Sequence, residues 1–215
     1  MILQLGSHSY SPQRIFCIGK NYAEHVKELG GSTPGQPVVF MKPASCLVPP
    51  GETIRMPTHG SNLHHEVEVV VLIGKAGKNI SEPTASAHIA GLTLGLDLTL
   101  RDVQSAMKKK GWPWEISKAF DQSAPLGTLT PYDDTLPLDD ISFQCSVNGG
   151  LRQTGNSGEM MFAIPHLIHY LSGIWKLMEG DLIFTGTPSG VGPLHPGDRV
   201  TLNSDLLGSF EWSLA

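Results

Sequence analysis

A chain of 215 residues is long enough to bury a substantial core without disulfides, and it fits one domain on the usual scale of roughly 100–200 residues each. Charged residues are only 16% of it, while 24 glycines and 16 prolines supply many turns; this balance excludes a helical bundle or coiled coil and favours a β-rich fold with short helices. The net charge of −5, with basic residues scattered apart from Lys108, Lys109 and Lys110, argues against nucleic acid as a partner.

The amino end, Met1 to Gly6, has neither the cationic start nor the apolar stretch of a signal peptide. Arg14 to Gly19 reads as a short strand and Asn21 to Leu29 as a helix, with Asn21 as its cap, Glu24 completing a box-like start and Gly30-Gly31 as its stop. Short strands are expected around Val38–Met41, Cys46–Val48 and Ile54–Met56, then a long one over Leu63–Ile73 and a buried one over Gly91–Leu98, whose small residues let neighbouring backbones approach. Between Thr99 and Lys110 the pattern turns helical; Thr99 with Asp102 resembles a capping pair, and the three lysines sit at the negative end of the helix dipole. Residues 121–140 are loop-like, Ile141–Val147 alternates as a strand into the hairpin signal Asn148-Gly149, Phe162–Leu171 reads as a helix, and Asp181–Thr185 reads as a buried strand. That strand feeds the loop Gly186–Gly192, and further strands run from Arg199 to Trp212.

The longest apolar run, Val67–Ile73 broken by Glu68, falls far short of the ~18 residues that a membrane span needs. Cys17, Cys46 and Cys145 are odd in number and lack metal-finger spacing, so they read as free thiols in a reducing compartment. The expectation is one soluble, cytoplasmic domain over residues 1–215, α+β in class and mostly β.

The chemistry concentrates in His64-His65-Glu66-Val67-Glu68 and the apolar residues after it. Period two puts Glu66 and Glu68 on one face with Val70 and Leu72, about 6.6–6.8 Å apart along the strand. Either that face meets water, or it is buried and each ionised carboxylate costs several kcal/mol unless a cation compensates. Asp97 stands in the apolar run Leu92–Leu98, as an Asx turn at a strand end or as a buried acid with a partner. Together Glu66, Glu68 and Asp97 make an all-oxygen trio suited to Mg²⁺ or Mn²⁺. Zinc would want more nitrogen or sulfur, and His59, His64 or His65 can offer nitrogen.

On the first helix, Tyr22, Val26 and Leu29 share the apolar face, and His25 and Glu28 flank it at i and i+3. An imidazole oriented by a carboxylate makes a general base near neutral pH, whereas on an isolated helix the same pair is an ordinary surface contact of ~0.2–0.5 kcal/mol. Gly30-Gly31 and the Ser-Thr-Pro-Gly after it suggest a segment that closes like a lid. Lys118 is a candidate contact for a substrate anion, and Arg101 and Gln104 follow Asp97 closely enough to line the same cleft. The glycine loop has no phosphate-binding signature; it is a tight turn or a close approach of backbone to ligand, with Thr185 or Thr187 offering hydroxyls. No Gly-x-Ser-x-Gly elbow is present, which removes a serine hydrolase.

Cys17-Ile18-Gly19-Lys20-Asn21-Tyr22-Ala23-Glu24-His25, Phe40-Met41-Lys42-Pro43, the His64–Glu68 segment, Asp97–Gln104, Lys108–Gly111 and Gly180–Gly192 resemble, in order and over nearly the whole chain, the fumarylacetoacetate hydrolase family. The match is nearest to its short acylpyruvate hydrolase and oxaloacetate decarboxylase branch, and the expectation is a catalytic core without a mitochondrial targeting segment. The resemblance implies a mostly β fold with a mixed sheet rolled around the site, usually as a homodimer. It implies that Glu66, Glu68 and Asp97 bind Mg²⁺ or Mn²⁺, that His25 and Glu28 lie on a lid helix and activate water, and that Lys118 contacts the reacting carbonyl. Gln104 and Thr187 match positions near the substrate, and Lys20 stands where the family pattern admits arginine, which bears on how a second carboxylate is held.

The activity so implied is cleavage of the carbon–carbon bond of an acylpyruvate, such as acetylpyruvate or fumarylpyruvate, into pyruvate and a carboxylic acid. Decarboxylation or keto–enol tautomerisation of oxaloacetate uses the same groups. Hydratases and isomerases of aromatic meta-cleavage pathways, and a non-catalytic metal-binding module, are further alternatives; the His25–Glu28 pair speaks against the last, which needs no general base. A small 2-oxo acid is the expected partner.

Overall fold

The computed structural model describes all 215 residues except Leu29 and Gly31. A six-stranded sheet runs Thr130–Pro131, Ile89–Leu96, Val67–Ile73, Leu182–Phe184, Arg14–Gly19, Val38–Pro43, and it is mixed: Leu182–Phe184 lies parallel to Arg14–Gly19 and the other neighbours are antiparallel. A five-stranded sheet runs Gly150–Asn156, Ser142–Val147, Arg199–Ser204, Gly208–Leu214, Thr53–Ile54. Leu63–His65 sits in a smaller three-stranded sheet between Thr99–Leu100 and Gly192–Pro193. The expected class, α+β and mostly β with mixed sheets and few short helices, is the one observed.

Strand Val67–Ile73 is buried along its whole length, and its alternation splits two cores. Val67, Val69, Val71 and Ile73 face a large cluster that includes Phe143, Val200, Leu202 and Trp212 from the five-stranded sheet. Val70 and Leu72 face a second cluster with Ile15, Cys17, Leu126, Leu182 and Phe184. Each such side chain contributes about 1.5–3 kcal/mol by leaving water, so the central strand is held from both sides. Glu66 and Glu68 lie on the Val70 side, at the end of the second cluster, where the apolar filling stops.

Among the described residues, four α-helices punctuate the strands: α1 (Ala23–Glu28), α2 (Arg101–Lys110), α3 (Glu115–Lys118) and α4 (Ile164–Ile174). The Asn148-Gly149 hairpin forms as expected, both residues at positive φ as a two-residue turn of the primed type requires. Both expected helix caps are different in the fold. Asn21 does not cap α1: its Nδ2 donates to the Phe162 carbonyl (3.0 Å) and the Thr185 carbonyl (2.7 Å), and its Oδ1 accepts from the Phe162 amide (2.8 Å). Thr99 is paired in a strand and its hydroxyl donates back to the Asp97 carbonyl, while Asp102 accepts from the Ser61 amide and hydroxyl. Long-range partners take Asn21 and Asp102, and Thr99 is drawn into strand pairing with His64. The Cys46 end of the third expected strand is a 3-10 turn, Ala44–Cys46, leaving only Leu47–Val48 extended. Leu29 and Gly31, assigned from sequence to the apolar face and stop of α1, lie outside the described residues.

Candidate active site

The ladder breaks at Glu66, between strands Leu63–His65 and Val67–Ile73, and the Glu66 carbonyl accepts from the Asp97 amide at 2.8 Å. Asp97 stands one residue past the end of strand Ile89–Leu96, so this bond draws two acidic residues from adjacent strands to one point. Glu66, Glu68 and Asp97 are all buried, and an oxygen of each lies within 4.8 Å of the others.

Three buried carboxylates this close demand positive charge. Lys118, on the last turn of α3, reaches Glu66 Oε2 at 2.7 Å and also pairs with Asp97 Oδ2. Arg101, the first residue of α2, pairs with Glu66 Oε1 and donates to Gln104 Oε1 at 2.8 Å. Lys42, entirely buried, brings Nζ to 2.8 Å from Asp97 Oδ1 and donates to the carbonyls of Ser123 (2.6 Å) and Leu98 (3.2 Å). Burial opposes the charge of Lys118, but Asp97 and Glu66 outweigh it and hold its pKa above the ordinary lysine value. Burial of Glu66 is likewise overcome by Lys118 and Arg101, which keep its carboxyl well below the usual range. Glu68 differs: burial first, then Asp97 and Glu66, push its carboxyl well above that range, and it accepts from the Gly186 amide at 2.7 Å.

Glu68 is therefore the member of the trio without a basic partner among the described residues; the three cations that offset the trio contact Glu66 and Asp97 instead. An all-oxygen donor set with one carboxylate left unpaired fits a hard divalent ion. The histidines do not join it: His59 bonds the Ile116 carbonyl, His64 bonds Asn62 and His65 bonds Gln153. Among the described residues, the group of candidate ligands is Glu66, Glu68 and Asp97, with no histidine or cysteine in it.

On α1, His25 Nδ1 lies 3.0 Å from Glu28 Oε2, with His25 buried and Glu28 at the rim. Glu28 Oε1 accepts from the Gly190 amide at 3.0 Å, so the pair is fastened to the glycine loop. The loop approaches its surroundings through backbone: at Gly186, φ +102°, a Cβ would stand 2.6 Å from Asn21 Cβ, and at Gly190, φ +94°, only 2.2 Å from the Arg152 carbonyl oxygen. The close approach that these glycines permit is to Asn21 and Arg152 of the chain itself.

A cavity of about 440 Å³ is lined by His25, Glu66, Glu68, Asp97, Arg101 and Lys118, and also by Lys20, Gln104 and Thr187. Glu28 stands behind His25 and does not line the cavity, and neither do His59, His64, His65 or Thr185, which the sequence also offered. Sequence reasoning missed Lys42, Lys108 and Gln153. Lys108 lines the cavity with its ammonium 4.8 Å from the centre of the Trp114 ring; partial desolvation, then Arg101, Lys20 and Lys118, lower its pKa. Its one signal, membership of the lysine triplet, read as a helix-end feature. No helix among the described residues is long and apolar enough to cross a membrane.

Residues 14–214 match the family model described as the C-terminal part of fumarylacetoacetate (FAA) hydrolase. The chain is 45% identical over 202 residues to the mitochondrial oxaloacetate tautomerase of Mus musculus, covering 94% of this chain and 91% of that one. It is 45% identical over 189 residues to the mitochondrial oxaloacetate decarboxylase of Dictyostelium discoideum, covering 87% of each. Among solved structures, fumarylpyruvate hydrolase from Pseudomonas aeruginosa in complex with Mn²⁺ and pyruvate superposes with a TM-score of 0.95 at 36% identity, covering 100% of this chain and 95% of that one. With a family model spanning almost its whole length and full-length relatives above 40% identity, the chain belongs to the fumarylacetoacetate hydrolase family.

Proposed function

We propose that the chain is a divalent-metal enzyme acting at C3 of a 2-oxo acid that carries a second carboxylate, and that keto–enol conversion of oxaloacetate is its reaction. The observation that carries this reading is the surplus of positive charge on the cavity wall: beyond Lys42, Lys118 and Arg101, which offset the trio, Lys20 and Lys108 also face the cavity and have no acidic partner among the described residues. Such a wall suits a dianion. The tautomerase and decarboxylase named among the relatives act on that compound.

Glu66, Glu68 and Asp97 would hold Mg²⁺ or Mn²⁺, which when bound acts as a Lewis acid on the 2-oxo oxygen and acidifies the C3 hydrogens. Lys20 and Lys108 take the distal carboxylate, with Arg101 and Gln104 beside it. His25, its Nδ1 committed to Glu28, has Nε2 free for the substrate and moves the proton to and from C3. Glu28 holds the ring and stabilises the imidazolium, and Lys118 stabilises negative charge on the reacting oxygen.

A second reading, hydrolysis of acylpyruvates, uses the same residues, with His25 deprotonating water that attacks C4. The likeness to a fumarylpyruvate hydrolase that binds Mn²⁺ and pyruvate favours it. The surplus lysines point to fumarylpyruvate over acetylpyruvate, whose acyl end is neutral. The proposal includes a single catalytic unit over residues 1–215, a homodimer and a cytoplasmic location.

Proton NMR of the metal-free protein with oxaloacetate, fumarylpyruvate and acetylpyruvate, before and after adding Mg²⁺ or Mn²⁺, tests both readings. Metal-dependent acceleration of enol–keto exchange in oxaloacetate is expected. Pyruvate and fumarate released from fumarylpyruvate, with no acceleration of that exchange, would move the assignment to the hydrolase. No metal-dependent change with any of the three would refute both.

A further inference from the structure

Gln153 belongs to the strand Gly150–Asn156 of the five-stranded sheet and does not line the cavity, yet it is 1% exposed and its carboxamide makes four hydrogen bonds. Oε1 accepts from the Val67 amide (3.1 Å) and from His65 Nδ1 (2.8 Å); Nε2 donates to Thr187 Oγ1 (2.8 Å) and to the Pro188 carbonyl (2.9 Å). An amide N–H only donates and a carbonyl only accepts, so Val67 and Pro188 fix which way the carboxamide faces. Thr187 is fixed in turn: its proton goes to the Val67 carbonyl at 2.8 Å, and one lone pair takes the Gln153 N–H.

The segment anchored in this way is the one that serves both halves of the site. Gly186 gives its amide to Glu68 at one end, and Gly190 gives its amide to Glu28 at the other. Gly190 also packs on the carbonyl of Arg152, the residue before Gln153, so the same strand supports the loop from below. An amide buried in this place is stable only because every bond is made, and an apolar side chain of the same size would leave the Val67 amide, His65 Nδ1, the Thr187 hydroxyl and the Pro188 carbonyl without that partner. Nor could it set the loop.

We propose that Gln153 is a positioning residue for this active site: it holds the loop Thr185–Gly192 so that Gly186 N–H meets Glu68 and Gly190 N–H meets Glu28, setting the metal carboxylates and the proton-transfer pair together. The proposal rests on the reading of the trio as a metal site and of His25–Glu28 as the proton-transfer pair. Outer partners of metal ligands typically govern metal affinity or activity by about 10–100-fold.

The test is Gln153→Met, close in size and without the carboxamide, in the full chain. The readouts are the Mn²⁺ dissociation constant by electron paramagnetic resonance, thermal unfolding, and kcat and KM for oxaloacetate at saturating Mn²⁺. The expected result is Mn²⁺ binding weakened by about tenfold or more, and kcat lowered at saturating metal with KM little changed. A folded Gln153→Met protein with wild-type Mn²⁺ affinity and kcat, whatever its melting temperature, overturns the proposal and leaves Gln153 a core residue. Should Gln153→Met not fold, Thr187→Val decides through Mn²⁺ affinity alone: it removes the hydroxyl between Gln153 and Val67 and keeps the shape, so a weaker loss supports the anchoring and an unchanged constant refutes it. A wild-type chain that binds no Mn²⁺ overturns the metal reading and this inference with it, a result distinct from any seen only in the variants.

Discussion

Replacing Lys42 by Met leaves a chain of similar length in the same slot and deletes one ammonium that is wholly out of water. Three contacts disappear: the ion pair to Asp97 Oδ1 at 2.8 Å and the bonds to the carbonyls of Ser123 and Leu98. Hydrogen bonds from a charged donor contribute about 1.5–3 kcal/mol each, and breaking a buried ion pair from one side costs about 3–5 kcal/mol. These figures overlap, and Asp97 retains Lys118, so the net loss is about 3–5 kcal/mol. For a chain of this size each kcal/mol moves the melting temperature by about 2–4 °C, which predicts a fall of about 6–20 °C. Differential scanning calorimetry in EDTA measures it directly. Repeating the scan with saturating Mn²⁺ is expected to narrow the gap to wild type, because an ion that binds only the folded chain stabilises it and supplies positive charge beside Asp97. A fall of under about 2 °C in EDTA would refute the account of Lys42 as the charge that holds Asp97 in place.

Glu66→Gln and Asp97→Asn are each expected to abolish metal-dependent turnover, whereas His25→Ala loses turnover and keeps Mn²⁺ binding; isothermal titration beside the activity assay separates the two classes, and unchanged turnover in the carboxylate variants would sink the metal reading. Lys108 binds an anion only while protonated, and its pKa is lowered by desolvation and by Arg101, Lys20 and Lys118. KM for oxaloacetate should therefore climb with pH before an ordinary lysine would titrate, and Lys108→Met should show a higher KM without that climb; identical pH profiles would remove Lys108 from substrate binding. The three thiols are buried, and burial is the first cause raising each pKa, Cys145 to about 12. Ellman's reagent at pH 8 should find none of them in the native protein and all three after denaturation, and rapid native labelling of any one would contradict the packing described.

Much of the site was legible along the chain. Alternation placed Glu66 and Glu68 on the Val70 side of their strand, an acid in an apolar run marked Asp97, and the i,i+3 spacing paired His25 with Glu28. These are local signals: side-chain direction follows from a period of 2 or 3.6, which a few neighbouring residues set. Asn148-Gly149 made its hairpin for the same reason. The misreadings were local too. Asn21 and Thr99 carry the right side chains for caps, but Asn21 is claimed by the Thr185 carbonyl and Thr99 is paired in a strand with His64, neither of which local spacing reveals.

From its sequence alone the chain determines a β-rich class, which face of the central strand bears carboxylates, and the acid, base and imidazole types present. Only the tertiary structure decides whether those carboxylates meet water or one another, and which cations offset them. Lys42 reaches the Ser123 carbonyl 81 positions away, Lys118 reaches Glu66 over 52 and Gln153 reaches His65 over 88. The physical reason is range. Periodicity is imposed by neighbours along the backbone, whereas the compensation of buried charge is imposed by whatever the fold brings within about 3 Å, and pairing strands from opposite ends of the chain creates those neighbours.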